Sequence, residues 1–214
     1  KLRASILLRK FGGSFGDVGL FETLSLVTKT RKQLHRAVQV VERDDKAGLI
    51  LCRVPPNKVP LWFPEASPDL IDSDPFGLAY DHYHGAFIGE VPFKDGVVVD
   101  AGGYVGEFAL YALSRGARQV VIFEPNEKSL ECIQRNLGDA VDDGRVIMVK
   151  AGMSNEDGEC KVFQVDVASG YTLNPDMAGG DDGGPGGGES IPVRRLDSVV
   201  EEHGIELVGL IKMD

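Results

Sequence analysis

The sequence predicts an α/β fold in which a doubly wound, mostly parallel sheet follows an N-terminal cap that mixes helix and strand. Uniformly apolar runs such as residues 97–99 are typical of strands that are buried on both faces. Amphipathic stretches of helical length separate these runs, and strands joined by such crossovers run parallel. The size agrees, because 214 residues with 43% hydrophobic content suffice for one α/β domain with additional structure.

Residues 1–94 are predicted to form the cap on the substrate side. Apolar positions recur at roughly helical spacing from Asp17 to about Val41, which predicts an amphipathic helix. Two runs rich in β-forming residues, 37–41 and 49–54, flank a polar turn and predict a hairpin. The cap is therefore expected to be α+β.

Residues 95–214 are predicted to form the main domain, in which strand and helix alternate. Their apolar patterns predict strands at 97–99, 119–123, 146–149 and 207–213, and helices at 106–114, 126–137 and from 196 onward. The last helix is expected to start with Asp197 as its N-cap and to end at Gly204.

A glycine-rich segment, residues 168–190, interrupts this domain. Seven of its last twelve residues are glycine, a composition too flexible to bury a core. We interpret it as a loop, either disordered or acting as a mobile lid over a substrate. It is not a phosphate-binding P-loop, because no Gly-Lys-Ser/Thr follows it.

The overall charge limits the class of partner. With 23 basic and 33 acidic residues, the chain has a formal net charge of −10. This charge disfavours sequence-independent binding to nucleic acid and to anionic lipid. We expect a neutral, cationic or small-molecule partner, and neither nucleic acid nor membrane.

Other features indicate a reduced, non-membrane environment. The three cysteines form no CxxC pair, as is typical of reduced thiols in a cytoplasmic protein. No apolar run approaches the roughly 20 residues that span a bilayer. Because the chain starts on Lys1 and stops at Asp214 directly after an apolar run, we interpret it as a fragment whose last domain is incomplete at its C-terminus.

The turn after the first parallel strand, residues 100–106, is the first candidate site. Glycines there let the backbone approach a ligand closely, and the following helix N-terminus offers free N–H groups. As a dinucleotide fingerprint the turn is imperfect, because Ala101 stands where the first glycine should be. A carboxylate at Asp100 would repel a pyrophosphate, whereas S-adenosylmethionine (SAM) carries a cationic amino group and sulfonium. Asp100 therefore favours SAM over NAD.

Glu124 lies at the tip of the next predicted strand, where a carboxylate can accept hydrogen bonds from both ribose hydroxyls. NAD-binding folds share this feature. Either acid could instead stabilise a helix N-terminus. The placement of Asp100 and Glu124 on consecutive strand ends favours a cofactor site.

Four segments, in order, resemble the FkbM family of methyltransferases. They are Val99-Asp100-Ala101-Gly102-Gly103-Tyr104-Val105-Gly106, the glycine motif; Phe123-Glu124-Pro125-Asn126, the ribose-binding turn; Arg195-Leu196-Asp197-Ser198, similar to a Thr-Leu-Asp-Ser step; and Leu210-Ile211-Lys212-Met213-Asp214, similar to the start of an Ile-Lys-Ile-Asp-Val-Glu-Gly motif. The chain departs from the family pattern at Tyr104, where asparagine is usual, and it stops before Val-Glu-Gly.

The resemblance implies a class I, Rossmann-like SAM-dependent methyltransferase that methylates a hydroxyl of a sugar or natural-product scaffold. It also implies the cofactor contacts: Asp100, Gly102, Gly103 and Gly106 around the methionine, Glu124 on the ribose, and Asn126 and Ala151 near the adenine. Two other functions stay open, an NAD-dependent oxidoreductase and a SAM-fold domain that binds without catalysis.

The resemblance places Asp214 where it would face the transferred methyl group or the acceptor hydroxyl, unless it only positions the cofactor. Methyl transfer is an in-line displacement, so catalysis can rest on holding the acceptor oxygen about 3 to 3.5 Å from the methyl carbon. His84 is a second candidate base. His82 and His84 would share one strand face but lack a third ligand, so no metal is predicted, and both could be ordinary packing histidines.

Overall fold

The computed structural model describes residues 39–53, 60–65, 95–164, 171–172 and 188–213. Several predictions fall outside these residues and stay predictions. They are the helix over 17–38, the histidine pair with His84, most of the glycine-rich segment, and Asp214.

Four parallel strands form the central sheet, in the order β11–β4–β5–β6. Their bounds are β4 (Val97–Ala101), β5 (Gln119–Phe123), β6 (Val146–Val149) and β11 (Val208–Met213). All five residues of β4 are buried, as its uninterrupted apolar run predicts. Strands β5 and β6 lie on one side of β4, and β11 lies on its other side. The strand order therefore reverses beside β4. Such reversals mark ligand sites in α/β sheets.

Three helices cover both faces of this sheet, α1 (Glu107–Ser114), α2 (Glu127–Asp142) and α3 (Leu196–Glu202). Side chains alternate between the two faces of a strand. Val98 and Ile122 therefore pack in one cluster with residues of α1 and α2, whereas Val99 and Phe123 pack in another with Val199 of α3. The predicted doubly wound α/β fold is confirmed.

Two predicted helix boundaries are wrong. Helix α2 continues to Asp142 instead of ending at 137, with non-helical backbone angles at Leu137 (φ −127°) where the pattern suggested its end. Helix α3 has Arg195 as its N-cap, so Asp197 lies inside the first turn and does not cap. Asp157, from a neighbouring turn, accepts a hydrogen bond from the Arg195 N–H at 2.8 Å. This long-range acceptor holds the start of α3.

A second sheet of four strands, ordered β7–β10–β8–β9, follows the third strand of the central sheet. Its members are β7 (Gly152–Ser154), β8 (Gly158–Gln164), β9 (Tyr171–Thr172) and β10 (Glu189–Arg195). Strand β10 pairs parallel with β7 and antiparallel with β8. This sheet is not predicted from the sequence, because its two longest strands, β8 and β10, contain few buried apolar residues and pair across the glycine-rich segment.

Part of the N-terminal region forms a three-stranded antiparallel sheet of β1 (Gln39–Asp44), β2 (Leu49–Arg53) and β3 (Leu61–Pro64). The predicted hairpin is confirmed by the pairing of β1 with β2. The predicted helix does not extend to Val41, because residues 39–41 already belong to β1. The Ala47 N–H donates to the Asp44 carboxylate at 3.0 Å and stabilises the turn between the strands.

The side chain of Asn136 joins this N-terminal sheet to the rest of the chain. Its Oδ1 accepts a hydrogen bond from the Trp62 N–H at 2.7 Å, and its Nδ2 donates to the carbonyls of Trp62 at 3.1 Å and Val105 at 2.9 Å. Phe63 and Val105 are buried in the same apolar cluster. One amide therefore fixes β3 against α2 and also against the segment that precedes α1.

We expect Asn136→Leu to lower the free energy of unfolding by about 1 to 3 kcal/mol, because three backbone groups lose their partner. Urea unfolding followed by circular dichroism measures this change. Gln134→Ala, at an exposed position on the same helix, is the control and should change stability by less than about 0.5 kcal/mol. Equal stability of the two variants would show that Asn136 does not join the two parts.

Candidate functional site

The turn that follows β4 is fixed over the end of β5. The N–H groups of Gly102 and Gly103 both donate to the Phe123 carbonyl, at 3.0 and 3.2 Å. A Cβ atom at position 103 would lie 2.1 Å from Cγ2 of Ile122, so no side chain fits there. The turn therefore lies directly on the sheet, where its backbone can approach a ligand.

Left-handed backbone angles shape the rest of this turn. Gly106 has φ +83° and Tyr104 has φ +48°. Non-glycine residues rarely adopt such angles, and asparagine does so more readily than most. Tyr104 therefore holds this conformation without the advantage that an asparagine would have.

Glu124 stands at the end of β5, directly beside the glycine turn. The residue is 7% exposed, and its two carboxylate oxygens accept the N–H groups of Tyr104 and Asn126, each at 2.8 Å. Burial raises the pKa of Glu124, these two hydrogen bonds act against that rise, and the nearby charge of Asp100 adds to it. A carboxylate offers about four acceptor positions. The two backbone bonds therefore leave capacity for the hydroxyls of a ribose.

Asp100 is the second-last residue of β4 and has a fully buried side chain, and Lys212 of β11 lies opposite it in register. The Lys212 Nζ lies 3.0 Å from the Asp100 Oδ1 and also donates to the Gly102 carbonyl at 2.9 Å. Buried charges need such a partner. Sequence reasoning did not single out Lys212 as a site residue, although its motif was recognised, because only the register of β11 against β4 reveals the contact.

The remaining predicted cofactor residues have clear structural positions. Asn126 is the N-cap of α2, where its side chain accepts the Ser129 N–H at 3.1 Å. Ala151 follows β6 and is buried against the face of the sheet that α3 covers. The structure therefore brings Asp100, Gly102, Gly103, Gly106 and Glu124 together at one edge of the sheet, with Asn126 beside them.

A cavity of about 800 Å³ opens between the start of α2, the end of β6 and the start of β10. Pro125 and Asn126 line it, so it begins at the turn that carries Glu124. None of the glycines of the turn after β4 lines this cavity. It extends from the adenine side of the predicted site, not from the methionine side.

The segment around Ser198 anchors α3. The Ser198 hydroxyl donates to the Asp157 carboxylate at 2.6 Å, and the Arg195 guanidinium lies 3.3 Å from the same carboxylate. The hydrogen bond from Ser198 is the main cause that lowers the pKa of Asp157 to about 2. The motif at residues 195–198 thus holds α3 in place, and α3 leads into β11, which carries Lys212.

The described residues form no other obvious reactive centre. Among them, no three His, Cys, Asp or Glu side chains come together as metal ligands would. Burial raises the pKa of the Cys52 thiol to about 11 and that of Cys132 to about 12, so neither is a reactive thiolate. In the part of the chain that the structure covers, no helix is long and apolar enough to cross a membrane.

Comparisons with known proteins identify the last 115 residues with one family. The family model described as the methyltransferase FkbM domain matches residues 100–214. The solved structure of an FkbM methyltransferase from Methylobacillus flagellatus KT is 18% identical, with 70% of this chain and 38% of that chain covered and a TM-score of 0.37.

A proposed RNA methyltransferase from Pyrococcus horikoshii is 16% identical, with 56% of this chain and 50% of that chain covered and a TM-score of 0.29. The match to this chain thus spans half or less of the length of these two structures. The search of curated proteins finds no match.

Proposed function

The chain belongs to the FkbM methyltransferase family, and we propose that it uses SAM as its methyl donor and methylates a hydroxyl oxygen. The observation that carries the proposal is the pair of buried carboxylates at neighbouring strand ends, Asp100 and Glu124, beside a glycine turn. The net charge of −10 supports a neutral or cationic acceptor, such as a sugar or natural-product scaffold.

The donor set fits SAM in charge and in hydrogen bonding. Asp100 would contribute negative charge near the methionine end of the cofactor, which carries the cationic amino group and sulfonium. Glu124 has acceptor capacity beyond its bonds to Tyr104 and Asn126, as ribose hydroxyls require. A pyrophosphate at the same turn would meet the carboxylate of Asp100. These charges favour SAM over a nicotinamide dinucleotide.

Within this proposal, the residues of the chain bind and orient the reacting groups. SAM supplies an electrophilic methyl group when it is bound. Glu124 holds the ribose, and the turn from Gly102 to Gly106 holds the methionine end. Because the reaction is an in-line displacement, this orientation supplies much of the catalysis. Asp214 and His84 remain the proposed acceptor-side groups, and both lie outside the described residues.

We also propose a cytoplasmic location. Cys52, Cys132 and Cys160 are free thiols in the structure. Reduced thiols are usual in a reducing compartment, whereas secreted proteins tend to pair them. The support is compositional, and cell fractionation with an antibody against the chain would test it.

Isothermal titration of the 214-residue chain with S-adenosylhomocysteine (SAH), the demethylated product of the donor, tests the cofactor directly. We expect saturable binding of SAH and no binding of NADH under the same conditions. Binding of NADH without SAH would support an oxidoreductase and overturn the proposal. Incubation with methyl-labelled SAM and a panel of hydroxyl compounds tests turnover, and binding without any labelled product would support a non-catalytic domain.

A further inference from the structure

We propose that Lys212 is a positioning residue that holds the methionine end of the site and limits its preference for a cationic cofactor over the neutral product. This inference deepens the function proposed above and rests on it. Lys212 lies on β11, opposite Asp100 in the parallel register of β11 and β4.

The Lys212 ammonium group contacts three separate elements. It lies 3.0 Å from the Asp100 carboxylate at the end of β4 and donates to the Gly102 carbonyl of the turn at 2.9 Å. It also stands 5.7 Å from the centre of the Phe108 ring on α1. The side chain is only 18% exposed, so water screens these contacts weakly. One side chain therefore fixes the carboxylate and the turn relative to each other.

The charges around this ammonium group explain why a lysine is suited to the position. Asp100 and Glu124 are buried, and the charge of Lys212 lowers the pKa of Glu124 against the effect of burial. With all three groups ionised, two carboxylates and one ammonium leave a local charge of one negative unit. Without Lys212 the site would carry two negative units in a poorly hydrated place, which is costly.

This local charge affects the binding of SAM and the binding of its product SAH differently. SAM has a sulfonium, an ammonium and a carboxylate, so it carries one net positive charge near neutral pH, whereas SAH is neutral. Methyl transfer therefore removes one positive charge from the cofactor. A site with one net negative unit binds SAM in preference to SAH, and Lys212 limits that preference so that the product is not excessively disfavoured.

Binding of two analogues to matched variants tests the inference. Sinefungin has a protonated amine where SAM has its sulfonium, and SAH has no charge there. We expect Lys212→Met to weaken SAH binding by about tenfold through lost positioning, and to raise the ratio of sinefungin to SAH affinity by about fivefold. Lys212→Arg keeps the charge and should keep the wild-type ratio.

Charge-restoring variants separate electrostatics from folding. The double variant Asp100→Asn with Lys212→Met again has one negative unit, from Glu124, and should recover the wild-type ratio. Asp100→Asn alone should lower the ratio, so the inference stays testable if Lys212→Met does not fold.

Equal weakening of both ligands in Lys212→Met, or an unchanged ratio in Asp100→Asn, would overturn the role of Lys212. Failure of the wild-type chain to bind either ligand would instead contradict the proposed function.

Discussion

Gly103→Ala is expected to cost about 3 kcal/mol or more in the free energy of unfolding and to abolish measurable SAH binding. The added Cβ would lie 2.1 Å from Cγ2 of Ile122, a fully buried β-branched residue inside β5 that cannot turn away. The turn must therefore lift off the sheet and lose its bonds to the Phe123 carbonyl. Overpacking of this kind usually costs about 1 to 3 kcal/mol, and the backbone shift adds to that cost. Urea unfolding and SAH titration measure the two effects.

Gly138→Ala is a matched control, for which we expect a gain in stability instead of a loss. Gly138 lies inside α2, and a Cβ there would meet only the Gln134 side chain at an ordinary 3.8 Å. Alanine should stabilise the helix by about 0.5 to 1 kcal/mol. A Gly103→Ala protein with wild-type stability and wild-type SAH affinity would mean that the turn does not lie against β5 as described.

The central sheet could be predicted from sequence because its inner strands β4 and β5 are buried on both faces and its helices have one apolar face. For β5, the predicted and observed bounds agree, because the sequence from Gln119 to Phe123 fits a buried strand and no other element. The second sheet could not be predicted. Its pairing of β10 with β7 and β8 joins segments that are far apart in the chain, and β8 and β10 contain few buried residues, so their sequences carry no local signal for a partner.

In the candidate site, too, features set by nearby sequence could be predicted, whereas contacts between distant segments could not. Asp100 and Glu124 could be placed from sequence, because each follows an apolar strand and the carboxyl ends of adjacent parallel strands meet at one edge. The salt bridge from Lys212 could not, because it depends on the register of β11 against β4. Asn126 stays a predicted adenine neighbour, and the structure adds that its side chain caps α2. Capping and ligand contact use similar residues at a strand-to-helix turn.

The ribose contact predicts a large loss of affinity from a single carboxylate. Glu124→Ala should weaken SAH binding by about 1 to 3 kcal/mol, roughly 5- to 150-fold, because the hydrogen bonds to two hydroxyls lose their charged acceptor. The same change also removes the acceptor for the N–H groups of Tyr104 and Asn126. Glu201→Ala is the control, since Glu201 is an exposed acid on α3 that does not line the cavity beside Asn126, and it should change affinity less than about twofold.

The pKa of Glu124 adds a second signature, in which folding and binding respond to pH in opposite directions. Burial raises the pKa above the ordinary value of 4.5, so the ligand-free fold gains stability from the protonated form at low pH and loses that contribution as pH rises through the raised pKa. Ribose binding needs the ionised form, so SAH affinity should rise over the same interval.

Glu124→Gln should remove both dependences, which the difference between wild-type and variant titrations isolates. A wild-type SAH affinity that is flat in pH across this interval, or an Ala variant that binds as tightly as wild type, would place the ribose elsewhere.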